Sequence, residues 1–515
     1  MKKSVVIHPF LFAIYPILFI FSYNIEQASF NETFLPAAIA LGFTLLLLSL
    51  SGRILKDIKK AGIIVSLFLV FFFSYGHVYN MINLWTVGNF VIGRSRYLLL
   101  IWGLLIACSV YLAVRTRRDL NNLTKIFNIA ALSLVVISLV NVAVYEFRKS
   151  DFLENSNNNN KTSKDSQNSN INSGKLTLHH DIYYIILDGY ANSSTLKEVF
   201  NYDNSEFTDY LTKKGFYLSA KSLSNYAHTI MSLSSSLNME YINYLSKMGE
   251  EKSKDYSMLT RMIQNSKVIN FLKSKGYKFI NISSGWGPTG YNKQADLNFF
   301  CSRISEFYMI LIQTTMLSPF EELINDDLRN RILCIFSKLA EVHKIKGPKF
   351  IFAHIISPHP PFVFGQNGEN VPEVEAKLTG YVWKQKGKYI NQLIFINKKV
   401  KMLVDEILSK SKTPPIIILQ ADHGSASTFT WEKFPAWDNP TTLMLKERMR
   451  IFNAYYLPSG GNNLLYDSIT PVNTFRFIFN FYFNTNYKLL NDEVYFSSYN
   501  HPYKLINVTK KVRYE

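Results

Sequence analysis

The chain opens with five apolar runs, approximately Val5–Tyr23, Leu35–Ser51, Ile63–Ile82, Tyr97–Val114 and Ile126–Phe147. Each is near the ~20 residues a helix needs to cross the hydrocarbon core of a bilayer. Residues 1–150 are therefore expected to form a five-helix transmembrane domain. The pattern then collapses. Asn155-Ser156-Asn157-Asn158-Asn159-Asn160 and the stretch up to Gly174 hold almost no apolar residue, and such a segment cannot bury enough surface to offset chain entropy. Residues 151–178 read as a flexible linker. Beyond it, short apolar runs alternate with amphipathic ones. Tyr183–Leu187 and Pro415–Gln420 read as strands covered on both faces, with further strands at Tyr277–Ile282 and Lys349–Ile356. Helices are expected at Glu206–Lys214, Thr229–Leu245, Lys267–Lys275, Phe320–His343 and Lys388–Leu408. This alternation predicts an α/β domain over 179–515 with a central, mostly parallel sheet. The C-terminal stretch is less regular and is expected to add edge strands.

Charge orients the membrane part. Lys2 and Lys3 precede the first run, Arg53, Lys56, Lys59 and Lys60 fill the second loop, and Arg115, Arg117, Arg118 and Lys125 the fourth. The first loop, Asn24–Phe34, has no Lys or Arg, and the third has Arg94 and Arg96. Positive loops stay inside, so the N-terminus is expected in the cytoplasm and residues 179–515 outside the cell membrane, against the weak contrary pull of Arg148 and Lys149. The first run lacks a small-residue cleavage site and does not read as a signal peptide. Apart from Glu146 at the very end of the fifth run, no Asp, Glu or Lys lies within the spans to mark a transport path, and His8 and His77 read as packed or interfacial. The formal net charge is +18, but it forms no dense basic block and no nucleic-acid module. Anionic lipid or a phosphorylated substrate fits that spread of charge, and nucleic acid does not. Of three cysteines, Cys108 lies in a span. Cys301 and Cys334 either pair, as extracytoplasmic thiols do, or remain two free buried thiols.

Candidate chemistry sits at strand ends. Leu187-Asp188-Gly189-Tyr190 follows one strand and Ala421-Asp422-His423-Gly424 another; in parallel sheets ligands bind beyond the carboxyl ends of the strands. Two carboxylates and an imidazole suit one divalent cation, Zn²⁺ or Mn²⁺. Thr229, in Asn225-Tyr226-Ala227-His228-Thr229, stands at an expected helix start, where free N–H groups favour a phosphate. Metal coordination would make its hydroxyl a usable nucleophile. Asn225 is either a donor to phosphoryl oxygens or a turn residue. His228 reads as a surface or packing residue, Arg476 as a structural ion pair rather than an anion clamp, and His179 and His180 as incidental.

These three motifs resemble the alkaline phosphatase/sulfatase superfamily, and the layout resembles the lipoteichoic acid synthases and phosphoethanolamine transferases. The resemblance spans roughly Asp181 to Phe496 and implies an alkaline-phosphatase-like α/β/α domain. It implies that Asp188, Thr229, Asp422 and His423 bind the metal and that Thr229 is transiently phosphorylated. It places His359 on the substrate side, near the leaving group. It also implies a membrane phospholipid donor and an envelope lipid or glycan acceptor, with hydrolysis of a phosphate or sulfate ester as the alternative. There are departures. Thr229-Ile230-Met231-Ser232-Leu233 lacks the Cys/Ser-x-Pro-x-Arg motif of formylglycine sulfatases. The one histidine after His423 is His501, so a single metal is favoured, with His354 and His359 as candidates should a second bind. Lipoteichoic acid synthases usually carry Glu where this chain has Asp188, so their phosphoglycerol substrate does not transfer.

Overall fold

In a computed structural model of the chain, the described residues are 5–25, 30–82, 86–87, 90–91, 95–159, 179–247, 255–301, 306–320, 322–371, 383–429 and 435–514. The fold divides into two units, Met1–Lys175 with Ile304–Leu323, and Leu176–Arg303 with Ile324–Glu515.

The first unit contains α1 (His8–Tyr23), α2 (Phe34–Leu55), α3 (Ile58–Ile82), α4 (Ser95–Arg115) and α5 (Asn121–Asn159). Among the described residues, four apolar helical stretches, Phe30–Leu55, Ile58–Ile82, Ser95–Arg115 and Asn121–Tyr145, are long enough to cross a membrane. The expected first span is shorter. α1 has 16 residues and carries a proline in its first turn, and residues 5–7 before it are not helical. At ~1.5 Å per residue it covers ~24 Å, short of a ~30 Å hydrocarbon core. The expected five long helices are thus four, plus one short one. α5 continues through 151–159, the start of the expected linker; residues 160–178 of that linker lie outside the described residues.

The second unit runs β1 (Ile182–Leu187), α6 (Ser193–Phe200), α7 (Ser205–Lys213), β2 (Tyr217–Leu218), α8 (Thr229–Asn238), α9 (Ser257–Gln264), α10 (Lys267–Ser274), β3 (Lys278–Ile282) and β4 (Leu297–Phe299). The chain then visits the first unit with α11 (Glu306–Thr314). It continues with α12 (Glu322–Glu341), β5 (Lys349–Ile355), α13 (Lys386–Lys410), β6 (Ile416–Gln420), α14 (Thr442–Met449), β7 (Asn453–Tyr456) and α15 (Pro471–Phe483). The sheet order is β2-β7-β6-β1-β5-β3-β4. β1 pairs in parallel with β5 and β6, with Tyr184 opposite Phe352 and Ile418. β7 is antiparallel to β6 and carries β2 on its other side, so the irregular C-terminal stretch supplies an inner strand rather than an edge.

β1 is central because every one of its side chains is buried. Alternation sends Tyr183, Ile185 and Leu187 into one core with Phe207, Leu339 and Ile396. Ile182, Tyr184 and Ile186 enter the other core with Met231, Leu259 and Phe475. Helices therefore cover both faces in an α/β/α sandwich, which a parallel sheet requires. The helix expected at Thr229–Leu245 stops at Asn238 because Met239 takes a left-handed conformation (φ +57°) and the Asn238 amide bonds the Ser234 carbonyl at 2.8 Å.

Cys301 and Cys334 form a disulfide with Cα atoms 5.4 Å apart, and Cys108 is free. Alkylation of the denatured, unreduced protein should label one thiol per chain, and reduction should expose the other two. Three labelled thiols before reduction would rule the pairing out.

Candidate active site

β1, β5 and β6 are neighbours and end at the same edge, so the residues that follow them meet there. Asp188 comes directly after β1. Gly189 turns the chain away with φ +70°, and a Cβ there would stand 2.8 Å from the Trp383 ring; a glycine answers both demands. The His359 amide donates to the Asp188 carbonyl at 2.9 Å, which ties the loop after β5 to the end of β1. Asp422 and His423 follow β6, and the Gly189 amide donates to Asp422 Oδ1 at 3.1 Å. Thr229 is the first residue of α8.

The side chains converge. His423 Nδ1 faces the Gly424 carbonyl at 2.9 Å. A carbonyl only accepts, so Nδ1 carries the proton and Nε2 is bare. That nitrogen accepts from the Thr229 hydroxyl at 3.1 Å and lies 3.3 Å from Asp422 Oδ2 and 3.5 Å from Asp188 Oδ1. No hydrogen bond reaches either of those carboxylate oxygens, though both are buried. Oxygen and nitrogen lone pairs crowded together in a dry site repel unless a cation lies among them. Ligand atoms of Asp188, His359 and His423 fall within 4.8 Å of one another, as do those of Asp188, His354 and Asp422. The donor set fits a divalent cation, which is the test the implied metal had to meet. His354 holds Asp188 Oδ2 at 3.2 Å and faces Thr289 Oγ1 at 3.0 Å through its other nitrogen. Thr229 and His359 keep partial exposure, whereas Asp188, His354, Asp422 and His423 are buried.

Electrostatics separate the two carboxylates. Burial pushes Asp188 up, but His359, His354 and His423 outweigh it and hold the group below the usual carboxylate range. For Asp422, burial and the Asp188 charge act together and push it up to about 7. Burial, then the Arg448 guanidinium, keep His423 well below the usual imidazole range, so it is neutral and able to ligate.

Asn225, His228 and Arg476 have structural partners, with His228 the packing residue expected. Asn225 does not reach the site. Its Nδ2 donates to the Glu493 carbonyl at 2.9 Å and to the Tyr241 hydroxyl at 3.4 Å, and its Oδ1 accepts from the Val472 amide at 2.9 Å, so both ends of the side chain tie this stretch to the C-terminal segment and to Tyr241. His228 is buried against Trp437 and Tyr499, with Nε2 on the Ser497 carbonyl. Arg476 grips the Met239 and Lys488 carbonyls, each at 2.7 Å, a structural role met by carbonyls rather than a carboxylate.

Two residues at the end of α14 were missed. Arg448, 2% exposed, donates to the Ala227 carbonyl at 2.8 Å and to the Gly424 carbonyl at 3.2 Å. It therefore joins the loop before Thr229 to the loop of His423, through the same carbonyl that orients the imidazole. Glu447 accepts from Ser425 Oγ at 2.7 Å and from the Ser427 and Thr428 amides, which fixes the rest of that loop. The sequence signal was Lys446-Glu447-Arg448 directly ahead of an apolar strand, where charges so close to the core need partners.

The sulfatase family model matches residues 181–475, and the chain belongs to that family. No curated protein sequence matches. Among solved structures, the C-terminal periplasmic domain of EcEptC from Escherichia coli is similar at 14% identity, with 64% of this chain and 92% of that chain covered and a TM-score of 0.41. The C-terminal periplasmic domain of phosphoethanolamine transferase EptC from Campylobacter jejuni gives 12%, 60%, 91% and 0.38. Lipooligosaccharide phosphoethanolamine transferase A from Neisseria meningitidis, an integral membrane protein, gives 10%, 89%, 89% and 0.35. At such identities the family match alone carries the assignment.

Two outcomes are expected. Arg448→Lys keeps the charge but loses the two-carbonyl grip, and should lower metal affinity or turnover by about 10–100-fold, as loss of an orienting partner does. Unchanged affinity and turnover would remove Arg448 from the site. Because Asp422 is pushed up to about 7, an entering cation must displace its proton. Zn²⁺ or Mn²⁺ affinity should be full above that pH and fall by up to about tenfold per unit below it. Calorimetry on either side of neutrality reads this; a flat profile would contradict it.

Proposed function

We propose that the chain is a membrane enzyme that moves a phospho-group from a phospholipid to an envelope lipid or glycan through a phosphothreonine at residue 229. The observation that carries this reading is the placement of Thr229. Its hydroxyl is partly exposed, starts a helix and donates to the bare Nε2 of His423, beside one oxygen each of Asp188 and Asp422 that no hydrogen bond reaches. Asp188, Asp422, His423 and Thr229 would hold one cation, Zn²⁺ or Mn²⁺, and His354 and His359 are the ligands available to a second. A bound cation would lower the hydroxyl's pKa and offset phosphate charge.

The chain's own groups do the rest. In the first half-reaction a bond forms from Thr229 Oγ1 to phosphorus, the bond from phosphorus to the lipid oxygen breaks, and the threonine proton ends on that oxygen. In the second, the acceptor oxygen bonds phosphorus, the Thr229 ester breaks, and the acceptor's proton returns to Thr229. His359 Nδ1 bonds the Pro360 carbonyl, which leaves Nε2 bare on the exposed side to take and return that proton. The first N–H groups of α8 face the phosphoryl oxygens. The first unit is read as crossing the membrane five times, with α1 tilted least or drawn in by its neighbours. The N-terminus is cytoplasmic and the second unit extracytoplasmic, where the Cys301–Cys334 disulfide persists.

The test is to trap the intermediate. Protein in vesicles whose phospholipid carries labelled headgroup phosphate should gain label on Thr229 alone, located by mass spectrometry. Thr229→Ala should lose at least about a thousandfold in turnover, as loss of a nucleophile does. Label that leaves only when a glycan or lipid acceptor is added supports transfer. Rapid loss to water alone would make the enzyme a hydrolase, and an active Thr229→Ala would end the proposal.

A further inference from the structure

The first unit holds a cavity of about 350 Å³. Leu35, Ile39 and Phe43 of α2 line it, with Phe72 of α3 and Leu311 and Ile312 of α11. The wall is hydrocarbon over almost all of its extent, and the Thr315 hydroxyl is already spent on the Ile312 carbonyl at 2.8 Å. Water needs polar partners to occupy such a space, and the lining presents almost no polar surface. Leu35 and Ile39 are 58% and 63% exposed, so the cavity opens sideways to whatever surrounds α2.

Three facts narrow the occupant. The surroundings are those of a membrane helix, since Phe30–Leu55 is long and apolar enough to span. The depth along α2, from Leu35 to Phe43, is eight residues or ~12 Å at ~1.5 Å each, close to the ~15 Å of one leaflet's hydrocarbon. The cavity begins at the Leu35 end of α2, directly after the polar run Asn31-Glu32-Thr33, which suits the level of the headgroups.

One wall is borrowed from the second half of the sequence. Residues 306–317 belong to the first unit, although they lie in sequence between Cys301 and Cys334, the disulfide pair of the second. The Met316 amide donates to the Phe72 carbonyl at 3.0 Å. A Cβ at Gly76 would stand 1.8 Å from the Gln313 carbonyl oxygen, so α3 admits this segment because position 76 has no side chain. Small residues allow such backbone approach inside membranes.

We infer that this cavity holds one acyl chain of a phospholipid from the leaflet on the side of loop 24–33, with α11 and the turn after it as the retaining wall. The inference rests on the membrane reading of the first unit and is independent of the chemistry at Thr229.

Full-length protein is placed in phosphatidylcholine nanodiscs containing a phosphatidylcholine analogue with a diazirine midway along one acyl chain, irradiated, digested and mapped by mass spectrometry. Adducts on 35–43 and 308–317 should exceed those on the equally apolar exposed face of α4 (Leu100, Leu104, Leu112) by about fivefold, an occupancy preference worth roughly 1 kcal/mol. Ala40→Trp, which fills the space, should abolish the excess and leave α4 labelling unchanged. Equal labelling of cavity and α4 in the wild type would mean ordinary surrounding lipid. Weaker labelling of the cavity would mean that protein covers it. An excess surviving Ala40→Trp would mean that the chain binds elsewhere. Each of these overturns the inference. The same labelling of Thr229→Ala reads lipid binding whatever the fate of the proposed chemistry.

Discussion

Two buried carboxylate oxygens with no hydrogen bond, set around a bare imidazole nitrogen, are the feature on which the second unit turns. Taken alone the arrangement is unfavourable, since each ionised group withdrawn from water without a partner costs several kcal/mol. The side chains show the conflict, because Asp422 resists ionisation while Asp188 stays charged with the help of three histidines. A divalent cation resolves it in one step. The surrounding structure holds the donors in place for that cation. β1, β5 and β6 end side by side, Gly189 turns sharply enough for its amide to bind Asp422, and the loop after β5 is tied to the Asp188 carbonyl.

Strand-end chemistry was legible because it depends on short-range pattern. Runs such as Ile182–Leu187 and Ile416–Gln420 are apolar enough to be central strands and cannot continue through Asp-Gly or Asp-His-Gly. The helices near Ser205, Lys267 and Lys386 likewise announced themselves within a residue or two. What remained hidden depends on long-range partners. Arg448 lies 221 residues from the Ala227 carbonyl it binds, and no periodicity reveals that. Asn225 read equally as a donor to phosphoryl oxygens or as a turn residue; its engagement with Val472 and Glu493 requires the C-terminal segment to fold back. β7 was unreadable as an inner strand because its partner β2 is two residues long.

The membrane unit shows the same division. Length and hydropathy identify α2 to α5, while α1 falls short through proline placement that a hydropathy window averages away. The segment 306–320 is apolar, but its helix has nine residues, too few for a span and unremarkable in a soluble domain. Its affiliation is decided by Gly76 and by one amide-to-carbonyl bond to Phe72. Both are properties of the helix it meets and not of its own sequence.

Exposure sorts the roles within the active-site cluster. The atoms best placed to hold a cation belong to Asp188, Asp422 and His423, all buried. The groups proposed to react, Thr229 and His359, are the ones that keep access to solvent. A site built for metal storage would gain nothing from an exposed hydroxyl at a helix start. A site that must exchange one oxygen partner on phosphorus for another needs its nucleophile and proton carrier on the open side and its charge centre behind them. Under the proposed chemistry the helix dipole of α8 would add to that polarity, since its positive end lies at Thr229.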